Sequence, residues 1–276
     1  MAASLPGLRT VTALRYVQPL REGGSLPAVV DTEAGIFVVK FKGSGQGPKA
    51  LVAELLVGLI AGEIGLPIPE IVLVDVRPIF GRSEPDPEIQ DLLRASHGIN
   101  VGLRYLDGAF NFALSAAGDL ITPEFASRLV WLDAFVTNPD RSHRNPNILV
   151  WNRRPWLIDH GAALYAHHDW SQVDEARIRT PFPLIREHVL LGLVADAETA
   201  DRYCTDRLPT ETLRALLARI PDELLVDQGV DVASTRARYL DYLVRRMRAP
   251  REFVAEVTRA RAVLLADPRR KLSVRR

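Results

Sequence analysis

A chain of 276 residues, 47% hydrophobic and 25% charged, has the composition of an ordinary globular protein, long enough for one large domain or two modest lobes. No apolar run approaches the roughly 20 residues of a membrane span, and the N-terminus lacks the apolar stretch of a signal peptide, so a cytoplasmic protein with no membrane partner is expected. The net charge of +1 argues against nucleic acid as the main partner, and the single cysteine, Cys204, excludes an internal disulfide and a thiolate zinc site.

In chain order, Gly23-Gly24-Ser25 is either a glycine-rich phosphate loop or an ordinary turn ahead of the first paired strand. Residues 26–30 and 36–41 are β-rich runs joined by a hairpin in which Gly35 can take a positive φ. The glycine-rich loop at 42–47 ends at a helix N-terminus, which suits an anion, yet it fits neither the Walker A nor the dinucleotide pattern. Pro48 opens that helix, and Gly65 with Pro67 closes it. Residues 71–76 read as a strand, 81–97 as a surface excursion with a helical turn or more, and 100–106 as a further short strand.

Helices dominate downstream. Thr122-Pro123-Glu124 starts one whose Phe125, Leu129, Leu132 and Val136 share a face. Residues 148–151 and 155–158 are short strands around a turn at 152–154, and 209–225 and 234–248 read as helices. From Arg236 to Arg276 there are 13 basic and four acidic residues. That stretch is either helix docked electrostatically on the chain's own acidic body or a surface for an anionic partner. The expected fold is α+β in two lobes: a β-rich, nucleotide-binding 1–107, a helical 108–235 carrying the chemistry, and a basic helical extension over 236–276.

Two sets of charged residues stand where burial should forbid them. The helix around Glu54 is apolar almost all round, so its carboxylate needs a partner. Lys40, in the apolar strand before it, is the natural one, and Lys42 on the same strand face is the alternative. A buried Lys–Glu pair of this kind is one element of a phosphate-holding site. In the second set, Asp140 opens a loop that also holds Asn145 and Asn147, and Asp159 ends an apolar strand two residues before Gly161. Phosphoryl transfer needs a carboxylate to orient the acceptor hydroxyl and oxygen ligands for a divalent metal, and these residues meet both needs. His167-His168-Asp169 offers a weaker metal reading, with a plain surface cluster as its competitor, and Cys204 reads as a small buried apolar side chain.

Six segments between Gly23 and Asp159 or just beyond carry a resemblance: residues 23–27, Val39-Lys40-Phe41, Ala53-Glu54, residues 65–69, Asn138-Pro139-Asp140-Arg141 and Ile158-Asp159-His160-Gly161. In this order they resemble the HipA-like kinase domain, a branch of the protein-kinase-like superfamily. The resemblance implies a bilobal protein-kinase-like fold and an ATP-dependent phosphotransferase that uses Mg2+ or Mn2+. It implies Lys40 on the ATP phosphates and paired with Glu54, Gly23, Gly24 and Ser25 near the nucleotide, and an adenine-holding hinge at Tyr105-Leu106. Asp140 would be the catalytic carboxylate, and Asp159 a metal ligand with either Asn145 or Asn147. The acceptor is expected to be a hydroxyl, first of all Ser or Thr of a protein. A small-molecule or lipid head-group kinase and a nucleotide-binding pseudokinase are the alternatives. Neither toxicity nor an antitoxin partner follows, because the chain shows no match to the N-terminal region of the toxins.

Overall fold

The computed structural model describes residues 7–20, 26–82, 84–116, 120–227 and 229–266. Its N-terminal part is β-rich and its C-terminal part helical, as the α+β pattern requires. Strands β1 (Thr10–Pro19), β2 (Ala28–Thr32), β3 (Gly35–Lys40), β4 (Ile71–Val76) and β5 (Gly98–Arg104) close into a barrel in the order β1-β2-β3-β5-β4. All neighbours are antiparallel except β1 and β4, which pair in parallel from Thr10 opposite Leu73. Val30, Phe37, Val39, Val72 and Val74 fill the barrel. The β2–β3 hairpin turns with Gly35 at φ +104°, where any side chain would be strained.

β1 was not expected. Val11 and Ala13 are buried, but Leu14 and Val17 are exposed, so the apolar pattern lacks a clean alternation. Its presence makes residues 21–25 part of the connection between two strands. Gly23, Gly24 and Ser25 themselves lie outside the described residues; the flanking Leu20 N donates to Pro27 O at 2.7 Å.

Helix α1 (Gly47–Glu63) has Pro48 in its first turn and buries every residue from Ala50 to Ala61, Glu54 included. It packs into the same apolar cluster as the C-terminal helices. Helix α2 (Pro87–Ala95) forms within the predicted excursion, capped by Asp86 accepting from Glu88 N. A small sheet follows, β6 (Phe110–Asn111), β7 (Ile148–Trp151) and β8 (Arg154–Leu157), in the order β6-β7-β8. Between β6 and β7 runs α3 (Pro123–Phe135), started by Thr122 accepting from Phe125 N.

The remaining helices are α4 (Glu175–Ile178), α5 (Ala197–Arg207), α6 (Thr210–Ala218), α7 (Val232–Met247) and α8 (Glu252–Ala266). The expected helix over 209–225 stops at Ala218 and resumes as one 3-10 turn at Asp222–Leu224, because Pro221 cannot donate to the ladder. α8 brings Phe253 against α3, where the rings of Trp131 and Phe135 stack at 5.1 Å and Phe253 meets Trp131 edge-on at 5.8 Å.

As far as Ala266, the basic C-terminal stretch is docked on the chain's own body, by apolar packing as much as by charge. Tyr239, Tyr242, Leu243, Phe253 and Val257 are buried, and Arg251 pairs with the Asp201 carboxylate at 2.5 Å. Among the described residues no helix is long and apolar enough to cross a membrane.

Candidate active site

The end of β3 and the middle of α1 bring a lysine and a glutamate together. Lys40 Nζ lies 2.7 Å from Glu54 Oε2 and 2.5 Å from Asp159 Oδ1, so one ammonium bridges two carboxylates. Burial by itself would lower the Lys40 pKa, but the charges of Glu54 and Asp159 outweigh it and hold it above the ordinary value. Burial likewise pushes Asp159 upward, and the Lys40 ammonium outweighs that and holds the carboxyl below its ordinary range. Lys42 lies beyond the last residue of β3; its backbone N donates to Asn100 Oδ1 at 2.9 Å.

Asp159 follows β8 with φ +55°, in the left-handed region, and the next amide, His160 N, donates to Glu54 Oε2 at 2.7 Å. The strand exit is thereby tied to the Lys–Glu pair. Lys40 engages Asp159 Oδ1, leaving Oδ2 without a protein partner among the described residues.

The loop between α3 and β7 organises around Asp140. Its Oδ2 accepts from Asn145 Nδ2 at 2.9 Å and Asn147 Nδ2 at 3.2 Å. Both amides thus turn their nitrogens to Asp140 and keep their oxygens for another ligand. They differ in setting: Asn145 is exposed, whereas Asn147 is buried, and its carbonyl accepts from Ile158 N at 3.1 Å, directly beside Asp159.

Beneath this loop is a buried network absent from the sequence reading. Asp133, in the last turn of α3, is wholly buried and accepts from Arg141 Nε at 2.6 Å, Asn138 Nδ2 at 2.9 Å and His188 Nε2 at 3.0 Å. His188 Nδ1 accepts from Leu190 N, which puts the ring proton on Nε2 and makes it the donor. Burial alone would raise the Asp133 pKa, but Arg141 and His188 outweigh it and bring it to about 2. Arg141 also donates to Asn147 O at 2.5 Å and to His160 Nδ1 at 3.2 Å. One guanidinium therefore connects α3, the Asp140 loop and the strand exit at Asp159.

A cleft of about 1140 Å³ opens over these groups, with Lys40, Asn145, Asn147 and Asp159 in its wall. Tyr105 and Leu106, just past β5, line it as well, as do Leu20 and Pro27 on either side of the undescribed 21–25. The residues fit a hard divalent cation. Among the described residues no cluster of three His, Cys, Asp or Glu side chains could hold one, but Asp159 and an asparagine oxygen are hard donors of the kind that Mg2+ would take. The His167-His168-Asp169 segment lies elsewhere and is not a plain surface cluster. His167 is fully buried with Nδ1 3.1 Å from Tyr239 Oη, and Asp169 accepts from Ser171 N. Cys204 is buried, and burial pushes its thiol up to about 12.

The sequence profile described as HipA-like kinase matches residues 17–250. The chain belongs to the HipA-like kinase family. The match runs well past the segments that carry the resemblance by eye, through the whole of α7, so the helical part is family structure too. A solved structure, the proinflammatory kinase CtkA of Helicobacter pylori, superposes with a TM-score of 0.52 at 12% identity, covering 94% of this chain and 100% of that one. At that identity the likeness is one of fold. None of the curated proteins matches the chain. Membership makes this a kinase-type phosphotransferase.

Two expectations follow from the geometry. Lys40→Met and Glu54→Gln should be non-additive, since removing either leaves the other buried without its main partner. A double-mutant cycle on stability should return at least about 1 kcal/mol of coupling; zero coupling would separate the pair. The second concerns pH. Burial lowers His160 to about 4 and His167 to about 3, so both are neutral when folded, while the unfolded histidines protonate near 6.5. The unfolded chain then binds more protons below about pH 6.5, and stability, full above it, falls as pH drops toward 4. Denaturant titrations at pH 7.5 and 5.0 should differ by about 2 kcal/mol per buried histidine. His160→Gln should flatten the slope by one such share, and equal stability at the two pH values would contradict the assignment.

Proposed function

We propose that this HipA-like kinase is an ATP-dependent enzyme of bilobal protein-kinase-like fold that passes the γ-phosphoryl group of ATP to a hydroxyl, in the first place Ser or Thr of a protein. The observation that carries the reading is the cleft whose wall holds Lys40, Asn147 and Asp159 together, with Asp140 bonded to both asparagines. Lys40, oriented by Glu54, meets the phosphates, and Tyr105-Leu106 border the adenine. The family resemblance assigns Gly23, Gly24 and Ser25, which lie outside the described residues, to the nucleotide as well. Asp159 would hold Mg2+ or Mn2+ with Asn147, the amide fixed beside it, rather than with the exposed Asn145. A metal held there would offset the charge of the phosphates. Asp140 orients the acceptor hydroxyl and takes its proton.

The test is phosphoryl transfer from γ-labelled ATP by the purified chain, with magnesium and with chelator, to itself, a mixed protein acceptor and small alcohols. Metal-dependent labelling of Ser or Thr supports the reading. Labelling of small alcohols alone would move the acceptor to the small-molecule class. ATP binding without transfer to any of them would make the chain a nucleotide-binding module.

A further inference from the structure

Among the described residues of the basic C-terminal stretch, one cation is unlike the others. Arg246, in the last turn of α7, is 2% exposed, and every partner the structure gives its guanidinium is a main-chain carbonyl. Nε donates to Phe135 O at 2.5 Å and Nη2 to Ala134 O at 2.7 Å. Nη1 donates to Ile178 O at 2.6 Å and Thr180 O at 3.0 Å.

The two carbonyls on α3 belong to its last turn, which carries partial negative charge and where Ala134 O accepts a long bond from Thr137 N at 3.4 Å. A planar fork of five donors can serve both and still reach a second segment; an ammonium, with three donors around a point charge, cannot reproduce that geometry. The Phe253 ring lies 5.0 Å from the guanidinium carbon and closes the site from α8.

What Arg246 caps is the base of the Asp140 loop. Asp133, whose carboxylate holds Asn138 and Arg141, immediately precedes Ala134 and Phe135. The same turn thus offers its carboxylate to the loop and its carbonyls to α7. Ile178 and Thr180 lie in the segment that follows Asp159 and leads to His188, the third partner of Asp133.

We infer that Arg246 is a positioning residue: through it α7 fixes the end of α3 and the 178–180 segment, and so holds Asp140 at the distance that phosphoryl transfer requires. This rests on the phosphotransferase reading above. α7 then has a part in turnover although none of its residues lines the cleft.

The test compares the full chain with Arg246→Lys and Arg246→Met at a temperature where each is folded by circular dichroism. ATP affinity by calorimetry should stay within about twofold, because the Lys40–Glu54–Asp159 cluster is untouched, while turnover falls by about 10²-fold, the cost of a misplacement near 1 Å. Lys should recover only part of what Met loses, and amide exchange across residues 136–147 should rise in both. Turnover at the wild-type level in either variant would overturn the inference. So would loss of affinity and turnover together in proportion to unfolding, or failure of both variants to fold, which would make Arg246 a stability residue only. A wild-type chain without transferase activity would instead remove the functional reading; the exchange measurement would then still report whether Arg246 orders the loop.

Discussion

Asp140→Asn is expected to lower phosphoryl transfer by about 10²–10⁴-fold, or roughly 3–5 kcal/mol in the barrier, the usual contribution of a positioned general base. The fold and the affinity for ATP should stay close to wild type. Asn retains the size of Asp and an oxygen that can accept from Asn145 and Asn147, the two donors now bonded to Oδ2. It cannot take a proton from an acceptor hydroxyl. Asp140 is only half-buried, and its backbone N donates to Asn138 Oδ1 at 3.1 Å whichever side chain follows. A turn residue would behave differently: its loss would lower the melting temperature and reduce activity only through unfolding. Turnover, nucleotide affinity and melting measured on one preparation separate the two. Wild-type turnover in a folded Asp140→Asn protein would remove the residue from the chemistry.

Asp133 sharpens this contrast, because the same substitution there should do the opposite. Its carboxylate is wholly buried with three partners, so Asp133→Asn breaks an ion pair with Arg141 in the interior. Removing one member of such a pair costs about 3–5 kcal/mol of stability.

The two aspartates also show what the sequence made legible. Glu54 and Asp133 present the same signal, a carboxylate within an apolar run of helix. At Glu54 a lysine in the preceding strand completes the signal. At Asp133 the partners lie five, eight and 55 residues away, and nothing in the spacing names them. Asp140 and Asp159 were legible as a pair, because a polar loop, a hairpin and an aspartate before His-Gly occur in an order that chance seldom produces. The choice between Asn145 and Asn147 was not, since it depends on burial and on the bond from Ile158 N to Asn147 O.

Elements were missed where their apolar pattern is weak. α5 buries only Ala197, Ala200, Asp201 and Cys204, small or polar side chains that give no apolar face to find. The parallel pairing of β1 with β4 joins strands about sixty residues apart and leaves no local trace. Arg246 was counted as one of 13 basic residues in a tail, whereas its four bonds to carbonyls make it part of the interior.

Asp159→Asn should act on nucleotide binding rather than on the proton transfer. In the proposed site Asp159 would be the carboxylate that holds the metal, which would offset the phosphate charge, while its Oδ1 accepts from Lys40. Residues that merely support a metal ligand typically cost about 10–100-fold in metal affinity or activity when removed, and a ligand should cost at least that. ATP affinity in magnesium is therefore expected to fall by about 10²-fold or more. In chelator the order should change. Without metal, the Asp159 carboxylate faces anionic phosphates across a short distance, so its replacement by a neutral amide should leave ATP affinity equal to wild type or better. Lys40 keeps its other carboxylate partner, Glu54, which lies 2.7 Å from Nζ and should hold the cation in place. The comparison thus needs four titrations: both proteins, each with magnesium and with chelator. A loss confined to magnesium assigns the metal to Asp159. An equal loss in both would mean that the substitution displaced Lys40, and the residue would then be a partner of the lysine instead of a metal ligand. Wild-type affinity in magnesium would place the ion elsewhere in the cleft and leave Asp140, as the other carboxylate beside it, to hold it.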